Sequence, residues 1–558
     1  MHHAGPIAGV AANAEFVATA GYDNTIILWK AKDHSPVARA NHDHLVNQCA
    51  FSNDGKFLVS ASSDYSARLW EVPSLRLLSV LAGHKDDVDM AAFSPNDSLI
   101  ATCALDRCVR IFNTKGNCLH EMIGHKGNVL SLAWSSDSRH VVTSSVDGTI
   151  RKWDAILGIP VEITSLDVRT DSVELDTNGA IYAGDDRGRI AVIAGGHTHF
   201  LQAHRAGIKK IVLDNRSRTL ISLSYDRSIA IWRIAGPLQL VEVRRSTLPK
   251  DIWARAAALM QDGRIAVGTF GTSYAVYDPT LDKWDMTRVS AGPAINAVLN
   301  HKGKIFSVGD EGKVMADASP IANMGSLCNF LVSCGERIFA GGQMGRLFDA
   351  QTGEVLFEHH SPLNCAVAFD INGRPHFAVG TYTGQILVFC IDQNGAVSLS
   401  QQLAVYENAV KGLSQEGGIL FSVCANTHIA WHSVDSWALI RYIENAHERI
   451  VNACCSLGGQ QFASVSRDRT LRIWGPQGQE MHESPHPNSI KCVAANEART
   501  HLLSGSYGGT LALFDTVKKS WSEITRPTTS GISAITWSTS EQCFVAASYD
   551  GNLYSVTP

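Results

Sequence analysis

A histidine, a hydroxyl, an aspartate and an indole return along this chain at nearly fixed spacing, and that recurrence limits the fold more than any other feature. The stretch Ser60-Ala-Ser-Ser-Asp64-Tyr-Ser-Ala-Arg-Leu-Trp70 shows it plainly. Val59 and Ala61 alternate with Ser60 and Ser62, the period of a strand. Asp64 then marks a tight turn, Trp70 ends a second strand, and His42 lies upstream. The same set returns as His3, Thr19, Asp23 and Trp29; His84, Thr102, Asp106 and Phe112; His125, Thr143, Asp147 and Trp153; His204, Ser222, Asp226 and Trp232; and His447, Ser464, Asp468 and Trp474. From Trp29 to Trp70, Phe112 and Trp153 the intervals are 41, 42 and 41 residues. A period of this length marks a repeat architecture, built from units that cannot hide their apolar faces alone.

The residue types explain one another. A turn Asp can accept a hydrogen bond from a His on the neighbouring loop. That His can reach a Ser or Thr hydroxyl on the first strand, and the hydroxyl can accept the indole N–H. Such a chain is stabilising between sheets when every member is paired. Repetition makes these histidines structural tetrad members rather than catalysts or metal ligands.

Together these residues resemble the WD40 repeat. Phe51-Ser52, Phe93-Ser94 and Trp134-Ser135 fit its strand-end position, and Trp153-Asp154 is a literal Trp-Asp pair. The likeness is strong over residues 3–154, 204–232 and 447–515 and weaker elsewhere. It implies four-stranded blades set radially in a β-propeller.

Fainter copies fill the gaps. Asp185-Asp186 supplies the turn of a fifth repeat, Gly271 and Tyr277 belong to a seventh, and Thr383 and Phe389 to a tenth. Gly508 and Phe514 belong to a thirteenth, and Asp550 and Val556 to a fourteenth. Fourteen blades exceed the usual four to eight of one ring. The expectation is therefore all-β, two seven-bladed WD40 propellers in tandem: residues 1–282 with blades one to seven, and 283–558 with blades eight to fourteen. No helix is expected between Ile159 and Gly196. The layout is similar to that of actin-interacting double-propeller proteins, although no local motif extends the likeness to actin binding. One count does not close, because only Thr557 and Pro558 follow Val556. The stretch near Lys283 to Val289 could cross over as the missing strand. Otherwise Asn552 to Val556 forms an edge, protected or open to a partner's strand.

Composition excludes several classes. A net charge of −5 over 558 residues gives no bulk drive toward nucleic acid or anionic membrane. No apolar run is long enough to span a bilayer, and Met-His-His-Ala-Gly has no signal-peptide pattern. The 13 cysteines include no Cys-x-x-Cys pair, which fits free thiols in a reducing, intracellular or cytoplasmic compartment. Neither a phosphate-cradling Gly-rich loop nor a nucleophile elbow nor His-Glu-x-x-His is present. His359-His360, and His482 with His486, have ligand-like spacing but fall where inter-blade loops belong. No catalytic residue, metal or cofactor is expected.

A binding reading has more support. If each turn Asp points inward, the residue before it projects from the top face of the ring. In the first ring that position holds Tyr22, Ser63, Leu105, Val146, Asp185, Tyr225 and Phe270; in the second it includes Tyr382, Arg467, Tyr507 and Tyr549. Tyr and Arg dominate protein-binding hot spots. Arg467, Tyr507 and Tyr549 lie on consecutive blades and form a candidate patch with Arg469 at its rim, while Tyr22 and Tyr225 are isolated candidates. Tyrosine is also simply common on strands. The reading is a non-catalytic scaffold that docks protein partners on propeller faces and edges. The alternatives are a filament binder of the actin-interacting type and an enzyme or small-ligand binder using a channel.

Overall fold

Each repeat becomes one small antiparallel sheet. The computed structural model describes residues 1–476 and 478–558, and these contain strands but no helix. Thirteen sheets have four strands and one has three, each built from consecutive strands in order. The first sheet is Ile7–Ala12, Phe16–Gly21, Thr25–Lys30 and Pro36–Asn41. β-branched and aromatic side chains suit its pleated, half-buried surfaces. Its Asp23-Asn24 turn holds Asn24 in the left-handed region, as equivalent turns hold Tyr65, Arg107, Arg227 and Arg469. Burial falls from the inside outward: Thr25–Lys30 is buried except at its last residue, whereas outer strands such as Ile159–Ser165 are mostly exposed.

The chain divides into two compact units, Met1–Gly292 and Pro293–Pro558. In the first, seven sheets follow one another, and Ile7–Ala12 packs back against Ile252–Leu259 and Ile265–Thr269. The His3 amide donates to the Thr272 carbonyl across this closing joint at 2.9 Å. In the second, Ile295–His301 packs against Ile532–Ser538 and Cys543–Ser548. Each unit thus closes as seven radial sheets, the β-propeller arrangement. The core lies between sheets: buried Trp153 on one sheet packs with Ala101, Val109 and Ile111 on the sheet before it.

Of the two arrangements that the sequence left open for the last blade, the structure takes the second, and the boundary between the units moves. Lys283–Asp285 pairs with Ala275–Asp278 and completes the seventh sheet, so it does not cross over. For that reason the division falls after Gly292 instead of after Asp282. The fourteenth sheet has three strands, with Leu553–Val556 outermost. Between Ile159 and Gly196 the chain forms Ile159–Ser165, Thr170–Leu175, Ile181–Asp185 and Arg189–Ala194, all strands.

Candidate interaction site at the channel mouths

The repeated His, hydroxyl, Asp and Trp side chains meet as buried chains of hydrogen bonds. His42 Nδ1 is 2.8 Å from Asp64, its Nε2 is 2.7 Å from Ser60 Oγ, and Trp70 Nε1–H donates to the same Oγ at 2.8 Å. For His125 the distances to Asp147 and Thr143 are 3.0 and 2.9 Å, with Trp153 donating to Thr143 at 2.9 Å. His204 lies 3.2 Å from Asp226 and 2.7 Å from Ser222, which accepts from Trp232 at 2.9 Å. His447 lies 2.9 Å from Asp468 and 2.7 Å from Ser464, which accepts from Trp474 at 2.8 Å. One proton arrangement serves all four: Nδ1–H donates to the carboxylate, the hydroxyl donates to Nε2, and the indole donates to the hydroxyl. Burial alone would raise the Asp64 carboxyl. Hydrogen bonds from His42 and Ser66, with the Arg68 charge, hold it well below the usual carboxylate range. Burial lowers His42, so a neutral imidazole suits this chain. Each of these side chains is thus hydrogen-bonded within its own repeat.

The thirteenth sheet departs from the pattern. Gly508 replaces the Asp, and His486 Nδ1 meets Thr510 Oγ1 at 2.7 Å while Nε2 meets Ser504 Oγ at 2.8 Å. With no carboxylate beside it, burial brings His486 down to about 4. His482 sits on the strand Gly478–Glu483 and stacks on Phe514 with ring centroids 4.7 Å apart. It is therefore on a strand and not in a loop, and it serves packing. His359 Nε2 bonds Gln385 at 3.0 Å.

Two rings of side chains form each channel mouth. One is the set of pre-turn residues, whose backbone N–H reaches back to the start of the inner strand of its own sheet. Examples are Tyr22 to Pro6, Tyr225 to Gly207, Arg467 to Ile450, Tyr507 to Ser489 and Tyr549 to Gly531, at 2.9 to 3.1 Å. In the fifth sheet this bond comes from Asp186, to Arg169. Asp185, the residue read from the sequence, is instead buried in the turn, accepting from the Arg187 and Arg189 amides at 3.0 and 2.8 Å. The reading was one residue off because two aspartates stand side by side.

The second ring escaped the sequence. Pairing of the inner strand slips at its second residue in sheet after sheet, for example between Val46 and Gln48, Thr170 and Ser172, Val410 and Gly412, and Ile490 and Cys492. A bulge re-aims the skipped side chain, here Asn47, Asp171, Lys411 and Lys491. The usable signal was a polar residue directly after the first Val, Ile or Leu of an inner strand, as in Val410-Lys411, Val451-Asn452 and Ile490-Lys491. Several of these residues staple neighbouring sheets. The amide Nδ2 groups of Asn329, Asn364 and Asn452 donate to the carbonyls of Leu363, Val410 and Ile490 at 2.8, 2.6 and 2.6 Å.

The two mouths differ in charge. In the first unit, Lys209 lies between Asp171 and Asp186, and Arg169 Nε donates to Asp171 at 2.8 Å. Tyr225 lies under Lys209 with the ammonium 5.0 Å from its ring, and Tyr22 packs edge-on against Trp253 at 5.2 Å. In the second unit the Arg467 guanidinium stacks 5.3 Å over Tyr507, and the Lys491 ammonium lies 6.0 Å from the same ring. Burial would raise the Tyr507 phenol, but Lys491, Arg467 and Lys411 bring it down to about 8. Tyr549, on the next sheet, is pushed up by burial and by Tyr507. Arg467, Tyr507 and Tyr549 are half-buried at this mouth. Arg469 is exposed on the Arg467 turn.

Comparison with known proteins fits this geometry. Residues 36–71, 75–113, 116–154, 437–475 and 478–515 match the family model described as WD domain, G-beta repeat. These five stretches are WD40 repeats. An uncharacterized WD repeat-containing protein of Schizosaccharomyces pombe is 30% identical over 227 residues, covering 38% of this chain and 61% of the relative. Telomerase protein component 1 of Rattus norvegicus is 26% identical over 260 residues, 41% of this chain and 10% of that protein. The periodic tryptophan protein 2 homolog of Dictyostelium discoideum is 27% identical over 250 residues, 43% of this chain and 27% of that protein. The match thus spans from a tenth to about three fifths of these relatives' lengths. Among the described residues no helix is long and apolar enough to cross a membrane.

Proposed function

We propose that this chain is a non-catalytic scaffold, a subunit or regulator of a larger complex, and that it docks a protein partner at the channel mouth of the second unit. WD40 repeats characteristically mediate protein association, and one of the relatives is named as a telomerase protein component. The observation that carries the reading is the Arg467–Tyr507 stack with Tyr549 on the adjoining sheet. Large, partly rigid side chains with polar ends are the type that concentrates binding energy. The tetrads reserve the conspicuous histidines and aspartates for holding the blades, which argues against catalysis by those groups. The 13 free cysteines suit a reducing, intracellular setting.

The test is affinity capture with the full chain, followed by cross-linking to the identified partner. Tyr507→Ala and Tyr549→Ala should each weaken partner affinity about thirtyfold, the effect of losing a hot spot worth about 2 kcal/mol. Unchanged affinity in both variants would overturn the placement of the site.

A further inference from the structure

Two charged residues stand out on the inner strands of the first unit, below the mouth. Counted from the first residue of an inner strand, the bulge is at position two. Position five holds Ala11, Ala50, Ala92, Ala133, Glu174 and Val212 in the first six sheets. Position three holds Gly9, Gln48, Met90, Ser131, Ser172 and Lys210 in the same sheets. The seventh sheet has a longer irregularity and resumes its pairing with Ala257 and Ala258. The second unit places no charged residue at either position. Glu174 and Lys210 are the exceptions, and their strands, Thr170–Leu175 and Ile208–Asp214, pack together. The uncharged residues at position three link the ring. The Ala91, Leu132, Val173 and Ile211 amides donate to Gln48 Oε1, Met90 Sδ, Ser131 Oγ and Ser172 Oγ of the preceding sheets, at 3.0 to 3.4 Å. Lys210 ends that series, because an ammonium has no lone pair with which to accept. Glu174 and Lys210 line a cavity of about 380 Å³ inside the ring, with walls from the first, second, fifth, sixth and seventh sheets. Its other polar groups are engaged: Asn13 Oδ1 accepts the Phe16 N–H at 2.7 Å, and Asn53 Nδ2 donates to Asp97 at 3.0 Å. Among the described residues no hydrogen bond or ion pair engages the Glu174 carboxylate or the Lys210 ammonium. Burial pushes the Glu174 carboxyl up to about 7, although the Lys210 charge pulls the other way.

We propose that this cavity binds a free amino acid with an aliphatic side chain, its ammonium against Glu174 and its carboxylate against Lys210. The aliphatic part lies on the wall formed by Val10, Ala11, Val212, Ala257 and Leu259. A buried carboxylate without a partner is costly, and four sister sheets close the same position with alanine, so the fold itself does not require Glu174. A ligand with one sign of charge would be repelled by one of the two residues. A single carboxylate also falls far short of the six or more oxygens that a divalent cation such as calcium takes. A zwitterion answers both charges at once, and it does so in a site where water no longer weakens the attraction. The volume falls in the range of small-molecule sites, which begins at about 300 Å³. This inference is independent of the docking reading, which concerns the other unit.

Two measurements test it. The full chain is titrated by calorimetry near neutral pH with L-valine, L-leucine and L-isoleucine. At least one should bind at a single site. Isopentylamine, which carries the ammonium alone, and isocaproate, which carries the carboxylate alone, should each bind at least tenfold more weakly. Glu174→Ala and Lys210→Met should each weaken the amino acid at least tenfold. Saturable binding of none of the three amino acids overturns the proposal, as does binding that both variants leave unchanged. An amine or a carboxylate that binds as tightly as the amino acid overturns the zwitterion assignment. The second measurement is thermal melting. Without ligand, Glu174→Ala should melt no lower than the natural chain, because it removes an unpaired carboxylate and restores the alanine of its sister sheets. The amino acid should raise the melting temperature of the natural chain and leave that of Glu174→Ala where it was. A ligand-free Glu174→Ala chain that melts well below the natural one would make Glu174 a structural residue and sink the proposal.

Discussion

Thr143 shows how much one hydroxyl carries. It accepts the Trp153 indole N–H and meets His125 Nε2, both at 2.9 Å, and it is wholly buried. Thr143→Val keeps the shape but leaves two buried polar groups without partners. Each such loss costs about 1–3 kcal/mol, so denaturant unfolding should show a loss of about 3 kcal/mol. His486 gives the opposite case, a member missing its carboxylate. Held neutral, with its proton affinity lowered to about 4, it adds stability that is full above pH 6.5 and lost as pH falls toward 4. Trp521, whose ring centroid lies 6.5 Å from the imidazole, reports the event. Its fluorescence should change as the folded protein titrates around pH 4, and Trp521→Phe should remove that change. These tetrads were legible in the sequence because each partner is a distinct residue type at a fixed offset. Lys411 and Lys491 were not read, because a bulge is a backbone event and its one mark in the sequence, a polar residue after the first apolar residue of an inner strand, is supplied by many residue types.

At the scale of the element, the turns store a small strain that the sequence half reveals. Gly148 occupies the left-handed turn position at φ +72°, where an added Cβ would come within 3.1 Å of the Val168 amide nitrogen. Gly148→Ala should therefore cost about 1 kcal/mol, and the β-branched Gly148→Val more, in thermal or chemical melts. Asn24, Tyr65 and Arg107 tolerate the same conformation in neighbouring sheets, so the turn is set by the Asp before it rather than by glycine. That is why Asp-x pairs located most turns. Where two aspartates adjoin, as at Asp185-Asp186, spacing alone could not say which one ends the strand. The backbone bond from Asp186 to Arg169 decides it.

Ring closure is the property of the whole molecule that no single repeat encodes. In the second unit it joins strands 236 to 239 residues apart in sequence, through bonds of Asn300 to Thr536, Trp537 and Thr539. The Asn300 side-chain amide donates to the Trp537 carbonyl at 3.0 Å and to Thr539 Oγ1 at 3.2 Å. Distant joints of this kind form only after a long loop has been closed, so their bonds hold the final step of assembly. Removing one should loosen the seam before it loosens any sheet. Asn300→Ala removes both side-chain donors and leaves the Trp537 carbonyl short of a partner, a loss of about 1–2 kcal/mol. Hydrogen exchange should then rise in Ile295–His301 and Ile532–Ser538, the two inner strands at the joint. Exchange in Ile7–Ala12, the equivalent strand of the first unit, should stay as it was. Equal acceleration throughout would mean that the seam is not the weakest joint of its ring, and that closure is shared evenly among seven sheets.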